Sequence, residues 1–293
     1  MGGLGVLLAA RMGYIAIAEN EKYELESESN RVNLSLIPPR RGWILDRNGA
    51  PLASNRADFR VDIIPDRTPD ELAMVLTQLL SLEGLDLRTT VSAIAVSSSV
   101  PAVITQIRRM ANRWFSSMPL TILGPGVKSG MPILYDNPKE VGPDRIANAV
   151  GAYDLYPGAS IVVDMGTATT FDVVSAKGEY LGGAIAPGVA ISLDALYSHA
   201  AALRSVELVE PRSVIGRSTV ESIQSGVLYG FAAQVDGMVE RIRREVGDAQ
   251  VIATGGLAGL IAPRTQHVQF VEPWLTLHGL RIVHERNHVG DNS

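Results

Sequence analysis

The segment that carries the most chemistry runs Ile161-Val162-Val163-Asp164-Met165-Gly166-Thr167-Ala168-Thr169-Thr170-Phe171-Asp172. A hydrophobic strand delivers Asp164 at its end. Gly166 permits a tight turn and a close backbone approach. Thr167, Thr169 and Thr170 supply hydroxyls, and the N–H groups of such a loop can face phosphate oxygens. A carboxylate beside it can hold a cation that offsets phosphate charge. The plain alternative is a hairpin with a polar turn. Three threonines and two aspartates around one glycine favour the phosphate reading.

A second segment is Tyr135-Asp136-Asn137-Pro138-Lys139-Glu140-Val141-Gly142-Pro143-Asp144-Arg145. Gly142-Pro143 forces a turn and presents Asp144 and Arg145 just before a helix over Ile146–Tyr153. A carboxylate there can take a proton from a substrate hydroxyl. The adjacent guanidinium can bind a carboxylate or phosphate in two-pronged fashion. Equally, Asp144 can be a helix cap and Arg145 a solvated first-turn residue. The third segment, Val251-Ile252-Ala253-Thr254-Gly255-Gly256-Leu257, ends a strand in two glycines. That lets a flat ligand or a phosphate approach the backbone, but it is also a common strand-to-helix connection.

Other chemistries are excluded. The chain has no cysteine, hence no disulfide, thiolate metal site or thiol nucleophile. There is no Gly-x-x-x-x-Gly-Lys-Ser/Thr, Gly-x-Gly-x-x-Gly, His-Glu-x-x-His or Gly-x-Ser-x-Gly. His199, His267, His278, His284 and His288 lack metal-ligand spacing. A net charge of −5 argues against nucleic acid as a partner. Met1 to Ala18 are apolar apart from Arg11 and the Tyr14 hydroxyl. That run is shorter than the roughly 20 apolar residues a spanning helix needs, and it is interrupted by charge. No positive residue precedes Gly2–Ala10, as a signal peptide would require. An amphipathic N-terminal helix is the favoured reading, with no membrane span.

The elements that must hold these motifs alternate between α and β from Thr68 onward. Thr68-Pro69-Asp70-Glu71 is a capping box with proline at the first helical position. Leu72, Val75, Leu76, Leu79 and Leu80 then share one helical face. Strands are expected over Val91–Val96, Leu120–Leu123, Ile161–Val163, Thr169–Val174 and Val251–Ala253. Helices are expected from Ser99 and Pro101, from the capping box Ser218-Thr219-Val220-Glu221 towards Glu245, and over Trp274–Glu285. Before Arg67, two short extended runs, Trp43–Leu45 and Phe59–Ile64, flank the turn signal Asn48-Gly49. With 46% hydrophobic residues but only 5% aromatics, the core is one of small aliphatics. The alternation gives an α/β fold, and 293 residues at roughly 150 per domain give two domains.

From about Thr68 to Asn287 the chain resembles a type III pantothenate kinase. The resemblance is carried by Asp136–Arg145, Val163–Thr170, Leu181–Gly188, Pro211–Gly216 and Glu272–Leu277. It implies an actin-like (ribonuclease H-like) fold of two related α/β halves, over residues 68–150 and 151–293, and a cytoplasmic homodimer. The implied reaction is transfer of the ATP γ-phosphate to the 4′-hydroxyl of pantothenate, the first step of coenzyme A synthesis. By position, Asp144 is the base. Tyr135, Gly142, Pro143, Arg145 and Thr219 contact pantothenate or complete its loop. Asp164 binds a monovalent cation, potassium or ammonium. Thr167, beside Gly166, contacts ATP, which brings Mg2+. The family pattern usually has Ala or Leu where Pro143 stands.

The family also opens on a strand ending in Asp-x-Gly-Asn-Thr, its first phosphate loop. That order of residues is not found here; Asp46-Arg47-Asn48-Gly49 differs from it. Residues 1–67 read instead as an appended segment, which from about Leu8 resembles the start of an elongation-type penicillin-binding protein. The carrying run is Ile37 to Ala53. That family's Ser-x-x-Lys nucleophile motif is absent. The first kinase half is therefore expected to lack its N-terminal strands, and the alternative is a catalytically impaired pseudo-kinase or pantothenate-binding fusion protein.

Overall fold

The computed structural model describes residues 68–82, 84–200 and 205–288, together with four short strands nearer the N-terminus. Of those strands, β1 (Leu34–Ser35) pairs antiparallel with β4 (Arg60–Val61), and β2 (Ile44–Leu45) with β3 (Pro51–Ala53). The extended runs expected around Asn48-Gly49 are thus not partners of each other. Residues 44–45 pair with 51–53, whereas 60–61 pair with 34–35. The Asn48-Gly49 turn and the N-terminal apolar run lie outside the described residues. Among the described residues no helix is long and apolar enough to cross a membrane.

The chain divides into two compact units. The first comprises residues 1–92 and 100–117. It contains α1 (Pro69–Leu82), the short α2 (Leu87–Thr90) and α3 (Pro101–Trp114). The Thr68 box is reciprocal: Thr68 N donates to Glu71 Oε2 at 2.7 Å, and Glu71 N to Thr68 Oγ1 at 3.3 Å. Asp70 then accepts from Arg113 and from the Trp114 indole (3.1 and 2.8 Å), tying α1 to α3. The expected start at Ser99 shifts by one residue. The residue that precedes α3 is Val100, whose side chain cannot cap, so Pro101 alone sets the start.

The second unit comprises residues 93–99 and 118–293. A parallel pair, β5 (Ile94–Ser97) and β6 (Leu120–Leu123), forms one small sheet. After α4 (Pro143–Leu155) comes an antiparallel meander of β7 (Ser160–Met165), β8 (Ala168–Val174) and β9 (Tyr180–Pro187). Then follow α5 (Val189–His199), α6 (Thr219–Val246), β10 (Gln250–Thr254), the single-turn α7 (Ala258–Ile261), β11 (Phe270–Val271) and α8 (Leu275–His288). Strands β10 and β11 join parallel on the free side of β7, giving the order β11-β10-β7-β8-β9. Three antiparallel strands extended by two parallel ones form the sheet of a ribonuclease H-like half, so the fold is actin-like.

Central β7 is covered on both faces, which is why Ile161-Val162-Val163 reads as an unbroken apolar run. Ile161 and Val163 pack with Leu228, Val235 and Val239 of α6. Val162 faces the other way, onto Ala152 of α4 and Leu275 of α8. Strand β9 and helix α5 were not foreseen as elements. No element was expected over the paired glycines of β9, and a side chain at Gly183 would run into the Phe171 carbonyl on β8. Close strand approach, and not flexibility, explains that glycine.

Candidate active site

Helix α4 begins at Pro143, the first-turn position where a missing N–H costs nothing. The family departure at this residue is therefore compatible with the helix start. Asp144 follows, exposed, and its Oδ1 accepts the Arg145 N–H at 2.9 Å. The carboxylate folds back over Gly142: a Cβ there would lie 2.5 Å from Asp144 Oδ1. Absence of a side chain at 142 thus sets where the candidate base sits.

Arg145 behaves differently from a solvated first-turn residue. Its side chain is 8% exposed and turns inward. Nε donates to Oδ1 of the fully buried Asp172 at 2.7 Å. Asp172 also accepts from the Tyr180 hydroxyl at 2.7 Å and from Thr170 Oγ1 at 3.0 Å. Burial pushes the Asp172 carboxyl upward, opposed by Arg145 and the two hydroxyls. Burial also works against the Arg145 charge, but Asp172 and the nearby tyrosines outweigh it and raise its pKa. Tyr180 is held protonated, first by burial and then by Asp172. Arg145 Nη2 is sealed from solvent and has no hydrogen-bond partner among the described residues. Tyr135 leans on this group, its ring centroid 6.3 Å from that of Tyr180.

One turn further along α4 stands Asn148, fully buried. Its Nδ2 donates to Asp164 Oδ2 at 2.8 Å, and its Oδ1 accepts from Thr276 Oγ1 at 2.6 Å. The orientation of the amide follows from its partners, because a carboxylate only accepts and so must face the NH2 end. Residues four apart lie on one helix face. Asp144 and Asp164 are therefore linked by one helical turn and one hydrogen bond.

Asp164 Oδ1 points into a notch walled by glycine. A Cβ on Gly255 would fall 2.5 Å from it, and one on Gly166 at 3.5 Å. Gly255 also has φ +93°, a backbone state that glycine adopts without strain. The notch forms because β7 and β10 run parallel with Thr254 opposite Asp164, so both strands end together. The two-residue link Gly166-Thr167 joins β7 to β8, and its carbonyls crowd the Cα of Gly188. Thr167 is exposed. The other threonines are not: Thr169 is buried, and the Thr170 hydroxyl is spent on Asp172. Thr219 opens α6. It lines an apolar groove of about 510 Å³ with Leu193 and Leu196 of α5 and Ile223 and Phe231 of α6.

Asn148, Tyr180 and Thr276 were given no role of their own in the sequence reading, and Asp172, counted there with the phosphate loop, is instead the buried partner of Arg145 and Tyr180. The available signal was an asparagine four residues after Asp144 in an otherwise apolar helix, since a buried amide demands partners.

A carboxylate in a glycine-walled notch at the strand ends of an actin-like half, tied through one helix to a second carboxylate, defines an actin-like kinase. The family described as type III pantothenate kinase matches residues 50–241. A type III pantothenate kinase of Streptomyces griseus is 51% identical over 236 residues, covering 78% of this chain and 89% of that protein. One of Moorella thermoacetica is 50% identical over 233 residues, covering 79% and 91%. Among solved structures, a conserved Baf family transcriptional activator of Campylobacter jejuni is 22% identical. It covers 69% of this chain and 86% of that one, with a TM-score of 0.47. The chain belongs to the type III pantothenate kinase family. The family match begins 18 residues before Thr68 (68 − 50), so the last part of the segment set apart in the sequence is matched by the kinase family as well.

Proposed function

We propose that the protein transfers the γ-phosphate of ATP to the 4′-hydroxyl of pantothenate, the first step of coenzyme A synthesis, as a cytoplasmic homodimer. The observation that carries this reading is the Asp144–Asn148–Asp164 connection through α4. It supplies a base and a phosphate-side carboxylate in fixed relation, and phosphoryl transfer is mostly positioning and charge stabilisation.

Asp144 takes the hydroxyl proton as the acceptor oxygen attacks. Gly142, Pro143 and Arg145 shape the pantothenate loop, with Tyr135 beside it and Thr219 contacting the same substrate from α6. Gly166 and Thr167 meet the ATP phosphates. Asp164 would hold a monovalent cation, potassium or ammonium, which when bound neutralises phosphate charge; Mg2+ would arrive with ATP. The donors fit such an ion. The Asp164 carboxylate, whose Oδ1 faces the notch beside Gly166 and Gly255, is a hard oxygen donor of the kind such a cation takes. Residues 68–150 and 151–293 are read as the two actin-like halves. Residues 1–67 are read as the appended segment resembling a penicillin-binding protein, although the family match reaches back to residue 50.

ADP release dependent on both substrates tests the reaction. Asp144→Asn is expected to lower kcat by a factor on the order of 10² or more while pantothenate still binds. An unchanged rate in that variant removes Asp144 as base. Calorimetry separates the pseudo-kinase alternative, which predicts pantothenate binding without ATP binding.

A further inference from the structure

The Glu272–Leu277 motif has no role in the chemistry described so far. It leads into α8, which crosses α4 unusually closely. A Cβ on Gly151 of α4 would lie 2.7 Å from the Leu275 carbonyl, and one on Gly279 of α8 would run into the Ala147 carbonyl. Glycine at both positions lets the helix backbones meet. The approach to α8 is pinned as well: Glu272 accepts from the Tyr156 hydroxyl at 2.7 Å, and its own N–H donates to the Ala253 carbonyl at 2.8 Å. At this crossing Thr276 meets Asn148.

We infer that Thr276 is a positioning residue for the ATP side of the site, acting through Asn148 on Asp164. Thr276 does not touch Asp164 in this relay. Its hydroxyl holds the carbonyl end of the Asn148 amide, which leaves the NH2 end aimed at Asp164 Oδ2. With Oδ2 so engaged, Oδ1 is directed into the notch between Gly166 and Gly255. Without the hydroxyl, the Asn148 amide loses the donor that holds its carbonyl end, and its hydrogen bond to Asp164 Oδ2 is no longer held in place. The inference rests on the kinase reading, because it assigns Asp164 to the ATP side.

The test is Thr276→Val, which removes the hydroxyl at a half-buried position with little change of shape, beside Thr276→Ser, which keeps it. By calorimetry, Thr276→Val is expected to weaken ATP binding about five- to tenfold, the scale of one hydrogen bond. Pantothenate affinity should stay within about twofold, and Thr276→Ser should bind ATP like the parent. Equal ATP binding in Thr276→Val, or failure of Thr276→Ser to restore it, overturns the inference. Exchange of the Asn148 side-chain amide protons, followed by NMR, reads the relay without any ligand. It should quicken in Thr276→Val, and unchanged exchange also overturns the inference. A parent protein that binds no ATP sinks the kinase reading instead, and the exchange measurement then decides the relay alone.

Discussion

At Gly142 a side chain and the Asp144 carboxylate compete for one volume. In Gly142→Ala the new methyl would sit 2.5 Å from Asp144 Oδ1, and the carboxylate can swing away because it is the free end of a side chain. Folding should hardly change, since φ at 142 is an ordinary −56°. Turnover should fall at least about tenfold, because a displacement near 1 Å can cost that much or more. A thermal melt beside steady-state rates checks both halves, and parental kcat would contradict the placement of the base. The Asp172 group gives a stability prediction. Tyr180→Phe removes one of three donors to Asp172 and is expected to cost about 1–2 kcal/mol in urea unfolding. Asp172→Asn strips a buried guanidinium of its counter-charge and should cost more, about 3–5 kcal/mol. Asp144 and Asp164 stand out in the chain because loop chemistry surrounds them. Asp172 also stood out there, but its pairing with Arg145 did not, nor did the Asn148–Thr276 contact, because those partners lie 27 and 128 residues away.

Elements were legible where local signals set their ends. The Thr68 box and the Ser218 box each begin a helix as their chemistry requires, whereas α4 starts at Pro143, three residues before the expected Ile146, so Asp144 and Arg145 stand in its first turn and not ahead of it. Strand β9 was not legible, since its glycines answer to a neighbouring strand. The Ser218 box also differs in detail. Ser218 Oγ accepts the Glu221 N–H at 3.2 Å, but the Glu221 carboxylate reaches past the cap to Arg217 N (3.0 Å) and Arg212 Nε (2.6 Å). Glu221 thereby staples the 211–218 loop over the start of α6. Arg212 first, and then the Arg217 N–H, hold its pKa below the ordinary 4.5. A lowered carboxyl contributes stability above its ordinary value and loses it as pH falls through the shifted one. The loop should therefore stay docked above pH 4.5 and loosen below it. Faster amide exchange at Arg217 on acidification, abolished as a pH effect in Glu221→Gln, is the expected result. At the α4–α8 crossing, Gly279→Ala should be far harsher. The added methyl strikes the Ala147 backbone of α4, so overpacking on the order of 3 kcal/mol or more is expected from denaturant unfolding.

For the whole molecule, alternation of strands and helices indicated α/β, yet strand order could not be read from it. That order depends on β10 joining the side of β7 away from β8, a contact between residues about 90 apart in sequence. The motifs of Val163–Thr170 and Asp136–Arg145 closed the gap only through resemblance. One whole-molecule property still rests on proposal, the homodimer. Its physical support is the apolar groove of about 510 Å³ between α5 and α6. Leu196, which lines that groove, is 42% exposed. Scattered apolar residues need no explanation, but an apolar groove with an exposed leucine in its wall fits an interface between copies. Burying it against a second copy would also enclose Thr219, placing that proposed pantothenate contact at the subunit boundary. Leu196→Asp puts a charge into the wall of that groove. If Leu196 is an interface anchor, the substitution should cost about 2 kcal/mol of association, roughly 30-fold in the dimer dissociation constant. Sedimentation equilibrium should then show a dimer for the parent and a concentration-dependent monomer for the variant. Pantothenate affinity should fall in step with the dimer fraction. A parent that sediments as a monomer, or a variant that stays dimeric, removes this groove as the interface.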